Sequence, residues 1–239
     1  SSNYIQANGT LGVSAVWQTY ATWGSGTGVT VTGLTNGTSY TFQVKARNTN
    51  NTETAFGSTG SATTNSSAPT IGTPTVLSTT SIRWNFTDNA IGETGFKVYD
   101  GTNILKVTCA TADISYCDET NLDINTSYTR KVVAYNGSGN SSYSSTASIY
   151  TLANVSGIAS LSPISATTES VVVAVNSNPT PTEFAIQETG SSNYVNKTTG
   201  ALGTISWGTY AEFGSGTGVT VTGLSAGTNY TFQVKARNG

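Results

Sequence analysis

Apolar residues in this chain seldom run together; they alternate with Ser, Thr, Asn and Lys. "SIRWNF" (Ser81–Phe86), "GFKVYD" (Gly95–Asp100) and "NILKVTC" (Asn103–Cys109) show the pattern most clearly. A period of two turns one set of side chains inward and the other to water, which is the patterning of half-buried strands. Further runs of this kind lie at Ser170–Val175, Glu183–Gln187, Val219–Thr222 and Tyr230–Ala236. Asp100–Gly101, between two of the runs, predicts a tight hairpin turn. No segment carries a persuasive helical period, so the chain is predicted to be all-β.

The alternation repeats itself over a long distance. "GSGTGVTVTGL" occurs at Gly24–Leu34 and again, unchanged, at Gly214–Leu224. At that offset of 190, Trp17 meets Trp207, and "YTFQVKARN" occurs at both Tyr40–Asn48 and Tyr230–Asn238. Over residues 2–48, 29 of 47 positions are identical. A weaker echo lies between: "LDINTSYTRKVVAYN" (Leu122–Asn136) has the frame of "LTNGTSYTFQVKARN" (Leu34–Asn48), with Leu six residues before Tyr. One such frame per hundred or so residues is the sign of tandem β-sandwiches.

Leu, then "NTSY" or "GTNY", then Val-x-Ala-x-Asn resembles the corner between strands E and F of the fibronectin type III domain. "SIRWNFTDNAIGETGFKVYD" is similar to bacterial modules of that family in particular. The resemblance implies tandem seven-stranded immunoglobulin-like sandwiches. It implies that Tyr40, Tyr128 and Tyr230 are tyrosine corners, each with a buried ring and a hydroxyl bonded to backbone upstream. Trp84 matches the buried tryptophan of strand B, where the outer domain type is expected to carry Val173. On this frame residues 67–151 form a complete domain. Residues 152–239 supply strands A to F without G, and residues 1–66 supply only the later strands, C′ to G, with G near Glu53–Thr64. The outer two are then complementary parts of one domain type. Strands absent from each are expected from other copies of the same protein, by covalent continuation or by strand donation. The ends of the chain are expected to be cut surfaces in a repeat of about 190 residues.

Composition narrows the chemistry. Ser, Thr, Asn and Gly make up half the chain, charged residues only 9%, and the net charge is −2. No basic stripe offers itself to nucleic acid, and no apolar run is long enough for membrane insertion of this segment. There is no His, so a Ser or Cys nucleophile lacks its usual base, and no enzyme is expected. The 12 carboxylates are scattered and read as solvated strand and turn residues. A calcium site from Asp113, Asp118 and Asp123 is the alternative, although their spacing fits no EF-hand loop. "GSGTG" lacks the Lys and following helix of a phosphate loop. No cofactor is expected.

Cys109 and Cys117, with no His and no Cys-x-x-Cys, read as a disulfide rather than a metal site; two free buried thiols remain the alternative. In the fibronectin type III frame Cys117 takes the place of Val29, inward on strand E, and Cys109 ends strand C′, which favours the bond and an oxidising compartment. Aromatic residues stand at every third position in Trp17, Tyr20, Trp23 and in Trp207, Tyr210, Phe213. They either stack on glycan rings or plug the sandwich. Asn-x-Ser/Thr sequons are frequent, Asn8, Asn36, Asn85, Asn125, Asn136 and Asn229 among them. The expectation is a structural segment of a repetitive extracellular filament or cell-surface array. The alternative is an adhesin stalk or a glycan-binding accessory module of a secreted polysaccharide-degrading enzyme.

Overall fold

A computed structural model describes residues 3–238; Ser1, Ser2 and Gly239, the outer limits of the first and last predicted segments, lie outside them. The described residues form strands, with two single-turn 3-10 helices at Ser25–Thr27 and Ser215–Thr217.

The first segment contributes β1 (Tyr4–Ile5), β2 (Leu11–Gly12), β3 (Ser39–Phe42) and β4 (Gly60–Thr63). They pair only with each other, as two separate two-stranded ribbons, β1–β2 and β3–β4. Between residues 3 and 66 only Gly9 and Ser66 are buried. Neither of the two hydrophobic clusters takes a residue from this stretch.

The middle segment is a full sandwich. Its strands are β5 (Thr70–Ile71), β6 (Thr75–Val76), β7 (Ile82–Thr87), β8 (Gly95–Asp100), β9 (Leu105–Cys109), β10 (Tyr116–Glu119), β11 (Ser127–Asn136), β12 (Gly139–Asn140) and β13 (Ala147–Tyr150). One sheet has β7 between β10 and the pair β5 and β6; the other runs β9-β8-β11, closed by β12 and β13. Alternation along β7 and β8 sends Ile82, Trp84, Phe86, Phe96 and Val98 inward, all buried, and the Phe86 and Phe96 rings meet at 4.6 Å. Cys109 of β9 and Cys117 of β10 are disulfide-bonded, Cα to Cα 6.2 Å, so the bridge ties one sheet to the other. The Asp100–Gly101 turn is longer than a two-residue hairpin. Tyr99 pairs with Leu105, and the Asp100 carboxylate accepts from the Thr102 and Ile104 amides, closing a wider loop.

One carboxylate in this sandwich is deeply buried, against the expectation that all were solvated. Glu119 takes the Trp84 indole N–H at 2.8 Å and a two-pronged bond from Arg130, at 2.8 and 2.7 Å. Both ionic side chains are less than a tenth exposed. Such a pair persists because the Glu119 carboxylate accepts from both the Arg130 guanidinium and the Trp84 indole, while Arg130 also donates to the Thr129 carbonyl. Removing one partner strands the other in the core, typically costing about 3–5 kcal/mol.

The last segment contains β14 (Gly157–Ser165), β15 (Thr168–Ala174), β16 (Glu183–Glu188), β17 (Tyr194–Val195), β18 (Leu202–Gly203), β19 (Gly208–Thr209), β20 (Val219–Val221) and β21 (Phe232–Arg237). The sheet β14-β15-β20 faces a sheet in which β16 lies between β17 and β21. Val171, Val173, Phe184, Ile186, Phe213, Val221, Phe232 and Val234 fill the space between them. Cys117 pairs with Trp84 and the equivalent Val219 pairs with Val171. Val171, not Val173, therefore stands where Trp84 stands; both face inward, two residues apart on one strand. Likewise Val221 and Phe232 occupy the places of Glu119 and Arg130, so an apolar contact replaces the buried ion pair. The repeat itself slips once: Leu11–Gly12 and Leu202–Gly203 pair equivalently with β1 and β17. The offset there is 191 rather than 190, so one residue is inserted in that hairpin.

Candidate functional site

The three corner tyrosines share one geometry. The backbone N–H groups of Thr35, Asp123 and Ser225 donate to the hydroxyls of Tyr40, Tyr128 and Tyr230 at 2.8, 2.8 and 2.9 Å. The hydroxyl is thus the acceptor, and the donor lies five residues upstream. All three rings are half-buried rather than buried. The bonds from Thr35 hold the Tyr40 phenol below its usual range.

The two aromatic rows do not form flat platforms. In the last segment Phe213 is fully buried and Tyr210 packs on the same core. Trp207 lies outside, with the Arg237 guanidinium 4.5 Å and the Lys235 ammonium 5.6 Å from its ring centre. In the first segment Trp17 carries Arg47 at 4.6 Å and Lys45 at 5.6 Å in the same way. Tyr20 is 73% exposed and Trp23 half-buried. A sugar ring needs an open aromatic face, and the cationic side chains occupy that of each outer tryptophan. The strip continues along the outer sheet face: Lys235 donates to the Tyr194 hydroxyl at 2.9 Å, Gln233 to Gln187 at 2.7 Å, and Arg237 pairs with Glu183.

The carboxylates separate into different roles. Asp118 holds Arg83 at 2.7 and 2.8 Å, and Asp123 sits at the Tyr128 corner, so Asp113, Asp118 and Asp123 do not converge. Asp113 instead meets Asp88 and Glu93, one oxygen of each within 4.8 Å of the others. Burial, with the charges of Glu93 and Asp113 adding to it, pushes the Asp88 carboxyl above its usual range. Ala90 and Asp113 amides already bond Asp88 and Glu93. Glu188 is buried and accepts from the Ser191 hydroxyl and from the Ser191 and Gly190 amides, which lowers its pKa. Lys197 and the Thr209 amide hold Glu212 down to about 2. Neither Glu119 nor the Asp88 cluster stood out in the sequence, because Glu119 meets Trp84 and Arg130 across strands 35 and 11 positions away, and Asp113 reaches Asp88 and Glu93 from a different loop.

Polar residues also tie the segments together. Asn136 and Ser138 donate to the carbonyls of Thr64 and Thr63 at 2.9 and 2.6 Å, and Asn65 to that of Asn140 at 3.1 Å. Gly37 packs against Ile91 so closely that a Cβ would lie 1.5 Å from the Ile91 carbonyl oxygen. At the other end of the middle sandwich, buried Asn125 donates to Thr182 at 2.6 Å, and the Leu152 amide to Ser78 at 3.2 Å. Asn125 is therefore no free sequon, whereas Asn8, Asn36 and Asn229 are exposed and Asn85 and Asn136 half-buried.

Two facing sheets of this strand order, closed by a tyrosine corner, define an immunoglobulin-like sandwich. The middle and last segments are two such sandwiches in tandem, the architecture that the fibronectin type III resemblance implies. No family model matches the sequence. Chitinase A1 of Niallia circulans is 36% identical over 135 residues, covering 52% of this chain and 19% of that protein. The chain thus spans about a fifth of that curated relative's length. A segment of two fibronectin type III domains from chicken tenascin is similar at 15% identity and a TM-score of 0.44, over 73% of this chain and 91% of that one. The FN1–FN3 domains of chicken CNTN1 are similar at 15% identity and a TM-score of 0.31, over 83% and 72%.

Proposed function

We propose that the chain is a structural spacer of an extracellular filament or cell-surface array. The observation that carries this is the pair of bonded junctions. Thr63–Asn65 grip Asn136, Ser138 and Asn140 at one end of the middle sandwich, and Asn125 grips Thr182 at the other. Short connections with hydrogen bonds across them oppose bending, where loose linkers would allow it. The disulfide between the sheets suits an oxidising, extracellular setting. Spin labels on the middle and last sandwiches provide the test. A narrow distance distribution that broadens in Asn125→Ala is expected; a broad one in the unaltered chain overturns the spacer reading.

A second reading rests on the similarity to chitinase A1: an accessory module of a secreted polysaccharide-degrading enzyme, with glycan as partner. On this reading a sugar ring displaces Lys235 from the half-buried Trp207 and Tyr194 rings that it covers. Retention of the chain on insoluble chitin, lost in Trp207→Ala, favours this reading; passage without retention favours the spacer.

A further inference from the structure

The middle sandwich has five cationic side chains. Arg83, Lys106 and Arg130 pair with Asp118, Asp100 and Glu119. Lys97 and Lys131 have no carboxylate partner among the described residues. They donate instead to side-chain carbonyls, Lys97 to that of Asn140 at 3.1 Å and Lys131 to that of Asn103. An ammonium has three N–H groups, and one neutral amide oxygen leaves its charge unbalanced. Both lysines lie on the outer face of the sheet. In the ladder Lys97 faces Val133 and Lys131 faces Tyr99, which makes the two lysines diagonal neighbours on β8 and β11, about 7–8 Å apart.

These charges stand on an ordered surface. Val133, between the core residues Val132 and Ala134, alternates outward, yet it is fully buried and belongs to neither core. The side chains beside it close over it. The Tyr99 and Tyr143 rings meet edge to face at 5.4 Å. Lys131 lies 4.1 Å from the Tyr143 ring centre and Lys97 4.4 Å from that of Tyr135. Asn140 joins the set by donating to the Tyr99 hydroxyl at 3.0 Å. Both lysine stems are thus held before any ligand arrives, which lowers the ordering cost of binding. Tyr143 and Leu105, the ladder partner of Tyr99, stay 43% and 45% exposed. An apolar row therefore crosses the sheet beside two unbalanced charges.

We propose that this face of the middle sandwich binds an acidic polysaccharide. Its carboxylate or sulfate groups take the Lys97 and Lys131 ammonium groups. Its pyranose rings lie on Leu105 and Tyr143, and the Asn103 and Asn140 amides serve its hydroxyls. The charge complementarity is local, since the chain as a whole carries −2. Nucleic acid fits this face less well, because its affinity comes from many phosphates neutralised together. The site is separate from the Trp207 strip, where Arg237 is already balanced by Glu183. It goes beyond both functional readings, since a spacer or an accessory module could each carry it.

Calorimetric titration of the full chain at low salt provides the test. The probes are polygalacturonate, which carries carboxylates, and dextran sulfate, which carries sulfates; neutral dextran, polyphosphate and oligothymidylate are the comparisons. At least one acidic glycan is expected to bind, and which one names the anion, while neutral dextran does not. Lys97→Gln and Lys131→Gln keep the stems over Val133 and remove the charge, so each should weaken binding about fivefold. Tyr143→Ala should weaken it about tenfold. Leu105→Asn, outside the cover of Val133, should weaken it about threefold. Lys197→Gln, at a lysine already paired with Glu212 in the last sandwich, should leave it unchanged. Failure to bind either acidic glycan overturns the proposal. Equal binding of polyphosphate or oligothymidylate also overturns it, as does an equal loss in Lys197→Gln. Spin-label distances and retention on chitin report on other parts of the molecule, so each result can fail alone.

Discussion

The nine residues of Tyr40–Asn48 and of Tyr230–Asn238 are the same, yet Val44 is 74% exposed and Val234 only 9%. Their local structure agrees closely. Gly24 and Gly214 take φ of 82° and 79°, a left-handed geometry that brings the next loop carbonyl within 2.2 Å of where a Cβ would sit. Thr27 and Thr217 close that turn at 2.6 and 2.7 Å. The tyrosine corners and the Trp–Arg contacts agree within 0.1 Å. The turn and the corner are thus fixed by neighbouring residues, and the Trp–Arg contact by two residues within the repeated stretch itself. Burial and ladder bonds differ because they come from β14, β15 and β16, and no equivalent strands cover the first copy among the described residues. Val29, Val31, Leu34 and Phe42 are half-buried where Val219, Val221, Leu224 and Phe232 are core.

Paired substitutions sharpen this contrast. The largest effect is expected from Phe232→Ala, about 3–5 kcal/mol by loss of a buried aromatic and the cavity left behind. Phe42→Ala should cost less than about 1 kcal/mol; similar losses in urea unfolding of the two variants break the contrast. Val234→Ala should cost about 2 kcal/mol and Val44→Ala lie within about ±0.5. Tyr128→Phe removes the acceptor of the Asp123 amide and should cost about 1–2 kcal/mol; an unchanged denaturation midpoint removes the corner from the account.

The smallest difference is one of pH. Glu188 lies on β16, which has no counterpart among the described residues of the first copy. Its pKa is lowered in the folded state, chiefly by the Ser191 hydroxyl and also by the Ser191 and Gly190 amides. The bonds therefore add stability that is complete above the ordinary glutamate value, about 4.3, and is lost as pH falls through the lower folded value. Acid unfolding of the last sandwich should show this limb, and Glu188→Gln should flatten it. The ribbons of the first segment should show none.

Strand period, the repeat and the corner motif were legible because each is carried by residues close in sequence. Gly95–Asp100 and Glu183–Gln187 were placed to within a residue for that reason. The cysteine bridge was legible through register, since Cys117 falls five residues before Leu122 just as Val29 precedes Leu34. The Asp100 loop was not, because its width depends on a side chain bonding two amides further on. Glu119 was read as solvated, since alternation places it inward without revealing that Arg130 and Trp84 wait across the sheets. The aromatic row was ambiguous in sequence: Phe213 enters a core built by strands upstream, while Trp23, its counterpart, meets no such core among the described residues.

Amide hydrogen exchange resolved by NMR at the two copies of the nine-residue strand tests the central claim most directly, because intrinsic exchange rates within identical sequence are nearly equal. Gln233, Lys235 and Arg237, bonded to β16, are predicted to exchange slowly, and Gln43, Lys45 and Arg47 near the unprotected rate. Equal protection of the two sets would contradict the account, since it would mean that the first copy's inner face is covered as fully as the last one's.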